Sequence, residues 1–270
     1  MFDIFELNII KRAFIVLTLI APLAPLFGLF LLLRRYAFFA DTLAHVGFLA
    51  LALSIFFQIN SLFLLILLSI FVSVSVEKLR SQGRLPAEGS LSFFLYAGVA
   101  LSVVFITFSG NTGSIINILF GSLSTVTKGD VYLILAGALI CFYFLAKFYK
   151  NLINLCIDEE IAHASGINTE QLKILFAITV ALSISISIKT MGALLIGSLM
   201  IIPPLSAMQI CRSLKSTLIM SIAFSMISAY GGIFLSFYSG IPPGASISTI
   251  LIGFFIISYL IRIFRAKFIF

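Results

Sequence analysis

Residues 13–33 read AFIVLTLIAPLAPLFGLFLLL, a run without a single charge before Arg34 and Arg35 close it. A helix rises 1.5 Å per residue, so about 20 apolar residues cross the hydrocarbon core of a bilayer. The run is longer than the core of a signal peptide and no small-x-small cleavage pattern precedes Arg34, so it is expected to stay as a first membrane helix. The rest of the chain repeats the pattern. Further apolar runs bounded by charge or by Gly, Asn and Pro fall at 37–57, 61–76, 90–108, 131–149, 170–188, 191–210, 216–238 and 246–261. The third run is short, and the Gly-rich piece 111–129 suits a re-entrant or interfacial segment. The expectation is an all-α integral membrane protein of about eight to nine spans, folded as one domain over 1–270. With AVILMFWYC at 61% of 270 positions and a mean hydropathy of +1.21, an ordinary water-soluble domain, about half apolar, is excluded.

The net charge of +7 follows the same plan. Basic residues fall at the ends of apolar runs, which points to orientation in a membrane and away from nucleic acid. If loop 150–169 is cytoplasmic, about thirteen Lys and Arg lie inside, Arg34, Arg35, Arg80, Arg262 and Arg265 among them, and only Lys11, Arg12, Lys128 and Lys189 lie outside. Cys141, Cys156 and Cys211 are far apart and show no metal-finger or redox spacing, so they read as small apolar residues.

Of the ten acids and two histidines, most lie in tails, loops or span ends, but Asp41 and His45 lie within FFADTLAHVGFL, residues 38–49. Their i, i+4 spacing puts both side chains on one helical face. A carboxylate at mid-span costs about 2.5 to 3.5 kcal/mol on insertion scales and needs a compensating partner. A divalent metal supplies one, since carboxylate oxygen and imidazole nitrogen ligate zinc and also manganese. The competing reading is a hydrogen bond between the two or to a neighbouring helix. Two ligands per chain do not complete a zinc site, whereas a symmetric dimer would bring two carboxylates and two imidazoles together.

A second polar stretch, CIDEEIAHASG at 156–166, reads as a short helix between spans. Asp158, Glu159 and Glu160 suit the positive end of a helix dipole and Gly166 suits the stop. Ile157, Ile161 and Ala164 form a stripe that suits either a partner's groove or the membrane interface. Pro22 and Pro25 interrupt the first span, and Pro203 and Pro204 the seventh, preceded there by Gly192 and Gly197. Kinked or broken helices are expected at both places, because proline removes a backbone donor. No GxxxxGK[ST], HExxH or GxSxG occurs, so neither P-loop ATP binding nor hydrolase chemistry is indicated.

In their order and spacing these residues resemble the membrane permeases of zinc and manganese ATP-binding-cassette importers. The resemblance is carried by RRYAFFADTLAH at 34–45, Leu119-Phe120-Gly121, Asp158 to Ala162 with Gly166, Gly192 to Ile196, Ile201 to Pro204 and the stretch 231–244. The chain departs from that pattern at Ser122, where Asp is frequent, and at Pro204, where a small residue is usual. The resemblance implies a type II importer-like permease of a bacterial cytoplasmic membrane. It also implies two copies of the chain, separate ATPase subunits below, and an extracytoplasmic metal-binding protein above. Asp41 and His45 would then be the metal site, the segment about 155–168 the coupling helix with Ile157 to Ala162 and Gly166, and Gly192, Gly197, Pro203 and Pro204 the gating breaks. No resident cofactor is implied, only transported zinc or manganese. A secondary or proton-coupled metal transporter working without an ATPase is the alternative, with Asp41 as its proton group. A metal-dependent intramembrane hydrolase would need a third ligand that the sequence does not offer.

Overall fold

The computed structural model of the chain describes residues 8–81, 83, 86–109 and 128–267. Those residues form ten helices: α1 (Asn8–Leu33), α2 (Phe39–Phe57), α3 (Ser61–Ser81), α4 (Ala87–Ser109), α5 (Lys128–Ile157), α6 (Glu159–Ala164), α7 (Thr169–Met191), α8 (Ala193–Ile210), α9 (Leu214–Ser239) and α10 (Pro243–Lys267). Eight are long and apolar enough to cross a bilayer, and α8, whose apolar part runs Leu195–Ile210, is a shorter ninth. The third span is a full-length helix rather than a re-entrant one, because the helix continues past the apolar run through Glu77, Lys78 and Arg80. Leu119 to Ser122 lie outside the described residues, as does any re-entrant segment over 110–127.

The basic ends gather on one side. Arg34, after α1, pairs with Glu77 near the end of α3, and Arg262 and Arg265 of α10 hydrogen-bond Gln209 and the Ile210 carbonyl at the end of α8. These are the ends that the charge distribution assigns to the cytoplasm.

The proline pairs do not break their helices. Pro25 cannot donate to the Ala21 carbonyl, which instead accepts a hydrogen bond from the Ser225 hydroxyl of α9 at 2.5 Å. Pro204 frees the Met200 carbonyl in the same way, and Gly28 of α1 lies directly against it. A β-carbon at Gly28 would stand 1.7 Å from that oxygen, so only glycine allows the approach. Backbone acceptors released inside the bundle are thus covered by a neighbouring helix, the condition for tolerating them away from water. α1 and α8 run unbroken through Pro22, Pro25, Gly197, Pro203 and Pro204. The break falls at Gly192, whose φ of 82° and ψ of 161° lie in a region essentially reserved for glycine.

Candidate functional site

α2 and α8 face each other across a cavity of about 340 Å³ lined by Ala37, Phe38, Asp41, Ala44, His45, Ala193, Gly197, Ser198 and Ile201. The small residues decide its shape. With no side chain at Gly197, even an added β-carbon would stay 3.9 Å from Asp41 Oδ1, so the carboxylate faces open space. Behind α2, the Thr42 hydroxyl donates to the Leu91 carbonyl of α4 at 3.3 Å, which fixes the rotation of α2 and with it the direction of Asp41. Ser198 shares a 2.8 Å hydrogen bond with Ser248 of α10, closing the far wall. Gly197 stands roughly 20 Å of helix rise above Ile210, where the basic cytoplasmic end begins, so the cavity lies well inside the bundle.

Asp41 and His45 share this face as their spacing requires, with His45 Nε2 3.8 Å from Asp41 Oδ1. That is too long for a hydrogen bond. It is close to the roughly 3.3 Å edge expected between two ligands held 2.0–2.1 Å from a tetrahedral metal. No hydrogen bond from another described residue reaches either side chain. Asp41 is 54% exposed and His45 29%. A carboxylate so open on an apolar helix has to meet water, an ion or a second subunit. Among the described residues no third His, Cys, Asp or Glu joins them, so the pair stands alone within one chain.

The polar stretch between α5 and α7 folds as expected at its start. Asp158 caps α6, its Oδ1 accepting from the backbone N–H of Glu160 at 2.8 Å and Ile161 at 3.1 Å. Ile157 and Ile161 are 75% and 62% exposed, and His163 is exposed as well. Ala162 is a correction: it is fully buried against the protein and has no surface to offer a partner. Gly166, at φ 80°, ends the turn, and Glu159 pairs back to Lys173 of α7.

Sequence reasoning missed a buried ion cluster below the cavity. Arg34 Nη2 meets Glu77 Oε1 at 3.0 Å, both side chains 5% exposed. Tyr36 donates its hydroxyl to Glu77 Oε2, also at 3.0 Å. Burial first, and then the Glu77 charge, push the Tyr36 phenol up to about 12 against the opposing pull of Arg34 and Arg80, so it stays a neutral donor. The Tyr36 ring meets Phe39 edge-on at 5.6 Å, which ties the cluster to the first turn of α2, two residues before Asp41. The only sequence signal was Glu77 as an acid among basic span-end residues.

A bundle of apolar helices with an Asp–His pair facing an interior cavity and a short capped helix at its basic end has the form of a transport permease. The sequence profile of the ABC 3 transport family matches residues 6–262, and the chain belongs to that family. Over 222 residues it is 36% identical to the high-affinity zinc uptake system membrane protein ZnuB of Buchnera aphidicola subsp. Schizaphis graminum, spanning 82% of this chain and 85% of that one. It is 33% identical over 234 residues to the protein of the same name from Haemophilus influenzae, spanning 86% and 88%. The solved structure of PsaBC from Streptococcus pneumoniae in complex with Fab superposes with a TM-score of 0.82 over 94% of this chain and 92% of that one, at 21% identity, which speaks to the fold. The chain is a multi-pass membrane transport subunit and not an enzyme.

Proposed function

We infer that the chain forms the translocation path of an ATP-driven zinc importer, with manganese as the alternative cargo, and that Asp41 and His45 bind the ion on its way. The carrying observation is the Asp41–His45 pair, 3.8 Å apart and open to a 340 Å³ cavity rather than bonded to the protein. Relatives named as zinc uptake proteins support zinc as the cargo. A second copy of the chain completes the ligand set, and lipid covers the remaining apolar surface. ATP is hydrolysed on a separate subunit docked at about 155–168, and a metal-binding protein delivers the ion from outside. Alternating access follows: closure of the ATPase subunits moves the docking segments and exposes the half-sites to the opposite side.

The test is radiozinc uptake into vesicles holding this chain with its ATPase and binding protein, with and without ATP. Asp41→Asn keeps size and hydrogen bonding but removes the charge that offsets a cation, so uptake falls at least tenfold while folded protein in the membrane is unchanged. His45→Ala behaves alike, and the double variant loses little more than either single one, because the two act as one site. Uptake near wild type in Asp41→Asn returns the pair to helix packing. Uptake that ignores ATP selects the secondary transporter.

A further inference from the structure

Between the α1–α2 elbow and the end of α5 lies a cleft of about 320 Å³ that the transport site does not use. Arg34, Arg35 and Arg80 line one side, and Ile157, Asp158 and Glu159 the other. The charges do not cancel across it. Arg34 is committed to Glu77, Glu159 to Lys173, and Asp158 Oδ1 to the N–H groups of Glu160 and Ile161. Among the described residues no carboxylate pairs with Arg35 or Arg80.

Both of these arginines are held at a cost. Arg80 lies over the Tyr36 ring, 4.5 Å from its centroid, and its Nη1 is buried without a hydrogen-bond partner. A buried N–H left unpaired is destabilising until an acceptor arrives. Arg35 sits at φ 59°, in the left-handed region where glycine is far less strained. A cation kept at a strained position points to a use for its side chain.

We propose that this cleft receives an acidic side chain of the ATPase subunit, its carboxylate bridging Arg80 Nη1 and the Arg35 guanidinium. The inference rests on the reading of 155–168 as the docking segment. Exposed Ile157 stands at the edge of the cleft and exposed Ile161 one turn on, so a partner seated on them covers the cleft as well. The isoleucines supply apolar area, and the arginines supply charge-assisted hydrogen bonds that a carboxylate fits. The anchored acid reaches the ion site through a short chain of rings: Arg80 rests on Tyr36, and Tyr36 meets Phe39 at the start of α2.

The experiment measures the affinity of the purified ATPase subunit for the permease in nanodiscs of phosphatidylcholine alone, at low and high salt. Arg80→Gln and Arg35→Gly each weaken binding about tenfold and flatten its salt dependence, while Arg80→Lys keeps the salt dependence but recovers only part of the affinity. Arg35→Gly also relieves the backbone, so its thermal stability stays at or above wild type, which separates lost docking from lost folding. Wild-type affinity in both arginine variants overturns the proposal. If Ile161→Asp still weakens binding in that case, the docking segment stands without the cleft. If Ile161→Asp also binds normally, the docking reading fails with it. In nanodiscs containing phosphatidylglycerol, loss of bound lipid in the arginine variants with ATPase affinity unchanged would make the cleft a lipid-phosphate site and likewise overturn the proposal.

Discussion

Replacing Gly28 by alanine pushes on the wall of the Asp41–His45 cavity from behind. The new β-carbon would lie 1.7 Å from the Met200 carbonyl oxygen and 2.6 Å from its carbonyl carbon. A carbon and a carbonyl oxygen pack at about 3.3 Å, so α1 and α8 must part by roughly 1.5 Å. Neither side can yield alone: the oxygen is backbone, Met200 is fully buried, and Phe27 and Leu29 flank Gly28 in the core. Such overpacking costs about 1–3 kcal/mol, against at most about 1 kcal/mol of helix propensity gained by alanine. The separation falls one turn from Gly197, so it reaches the face opposite Asp41. A site needs its groups within about 0.5 Å of working geometry, and uptake per folded permease should fall about tenfold. Gly253→Ala is the matched control, because nothing lies within 4 Å of its added carbon. The assay is thermal unfolding in one detergent, together with radiozinc uptake. Equal melting and equal uptake for the two alanine variants would refute the close approach and the role given to α8.

Ser225→Ala removes the donor that satisfies the Ala21 carbonyl and should lower stability by about 0.6 kcal/mol; in a Pro25→Ala background the backbone N–H returns, and thermal unfolding should show that cost shrink. Glu77→Gln leaves Arg34 buried and uncompensated, an expected loss of about 3 kcal/mol by thermal unfolding, whereas replacing Arg34 and Glu77 together by Met and Leu should recover most of it; a double variant as unstable as the single one would contradict this. His45→Gln keeps a polar side chain but removes the imidazole nitrogen, so zinc affinity measured by calorimetry should fall at least tenfold; unchanged affinity would remove His45 from the ligand set.

The parts of this molecule that depend on neighbours in sequence were legible in it. Hydropathy marks the spans because each must cross the same apolar slab. The Asp41–His45 pair follows from helical spacing alone, and the Asp158 cap from a local rule. What depends on distant partners was not legible. Glu77 reads as one more flanking charge beside Lys78 and Arg80, and it is buried only because the elbow at 34–36 folds onto α3 some forty residues away. Ala162 belongs to an exposed-looking segment, and only the packing of α6 shows which side turns inward. The proline pairs read as breaks because the residues covering the freed carbonyls, Ser225 and Gly28, lie far away in the chain.

Relocating the break from Pro203–Pro204 to Gly192 changes what holds the cavity wall. Below the cavity α8 is pinned three times: Met200 lies against Gly28, Gln209 accepts from Arg262, and the Ile210 carbonyl accepts from Arg265. Above Met200 it begins at a glycine whose backbone no other residue readily adopts, and it is tied to α10 by the single hydroxyl pair of Ser198 and Ser248. Polar restraint on α8 is therefore concentrated in its lower half, whereas along Ala193 to Ser198 the helix is held by core packing through Ala193, Leu195 and Ile196, with Ala193, Gly197 and Ser198 turned to the cavity. A change in the Gly197–Asp41 separation has to disturb the packing of Ala193, Leu195 and Ile196 in addition to one neutral hydrogen bond, the latter worth about 1 kcal/mol. Movement of the lower half would require uncovering a proline-freed carbonyl and breaking two arginine contacts at once. The same prolines that looked like hinges belong to the half anchored by polar contacts, and the half that borders the cavity is held by apolar packing with the Ser198–Ser248 pair as its one polar tie to α10.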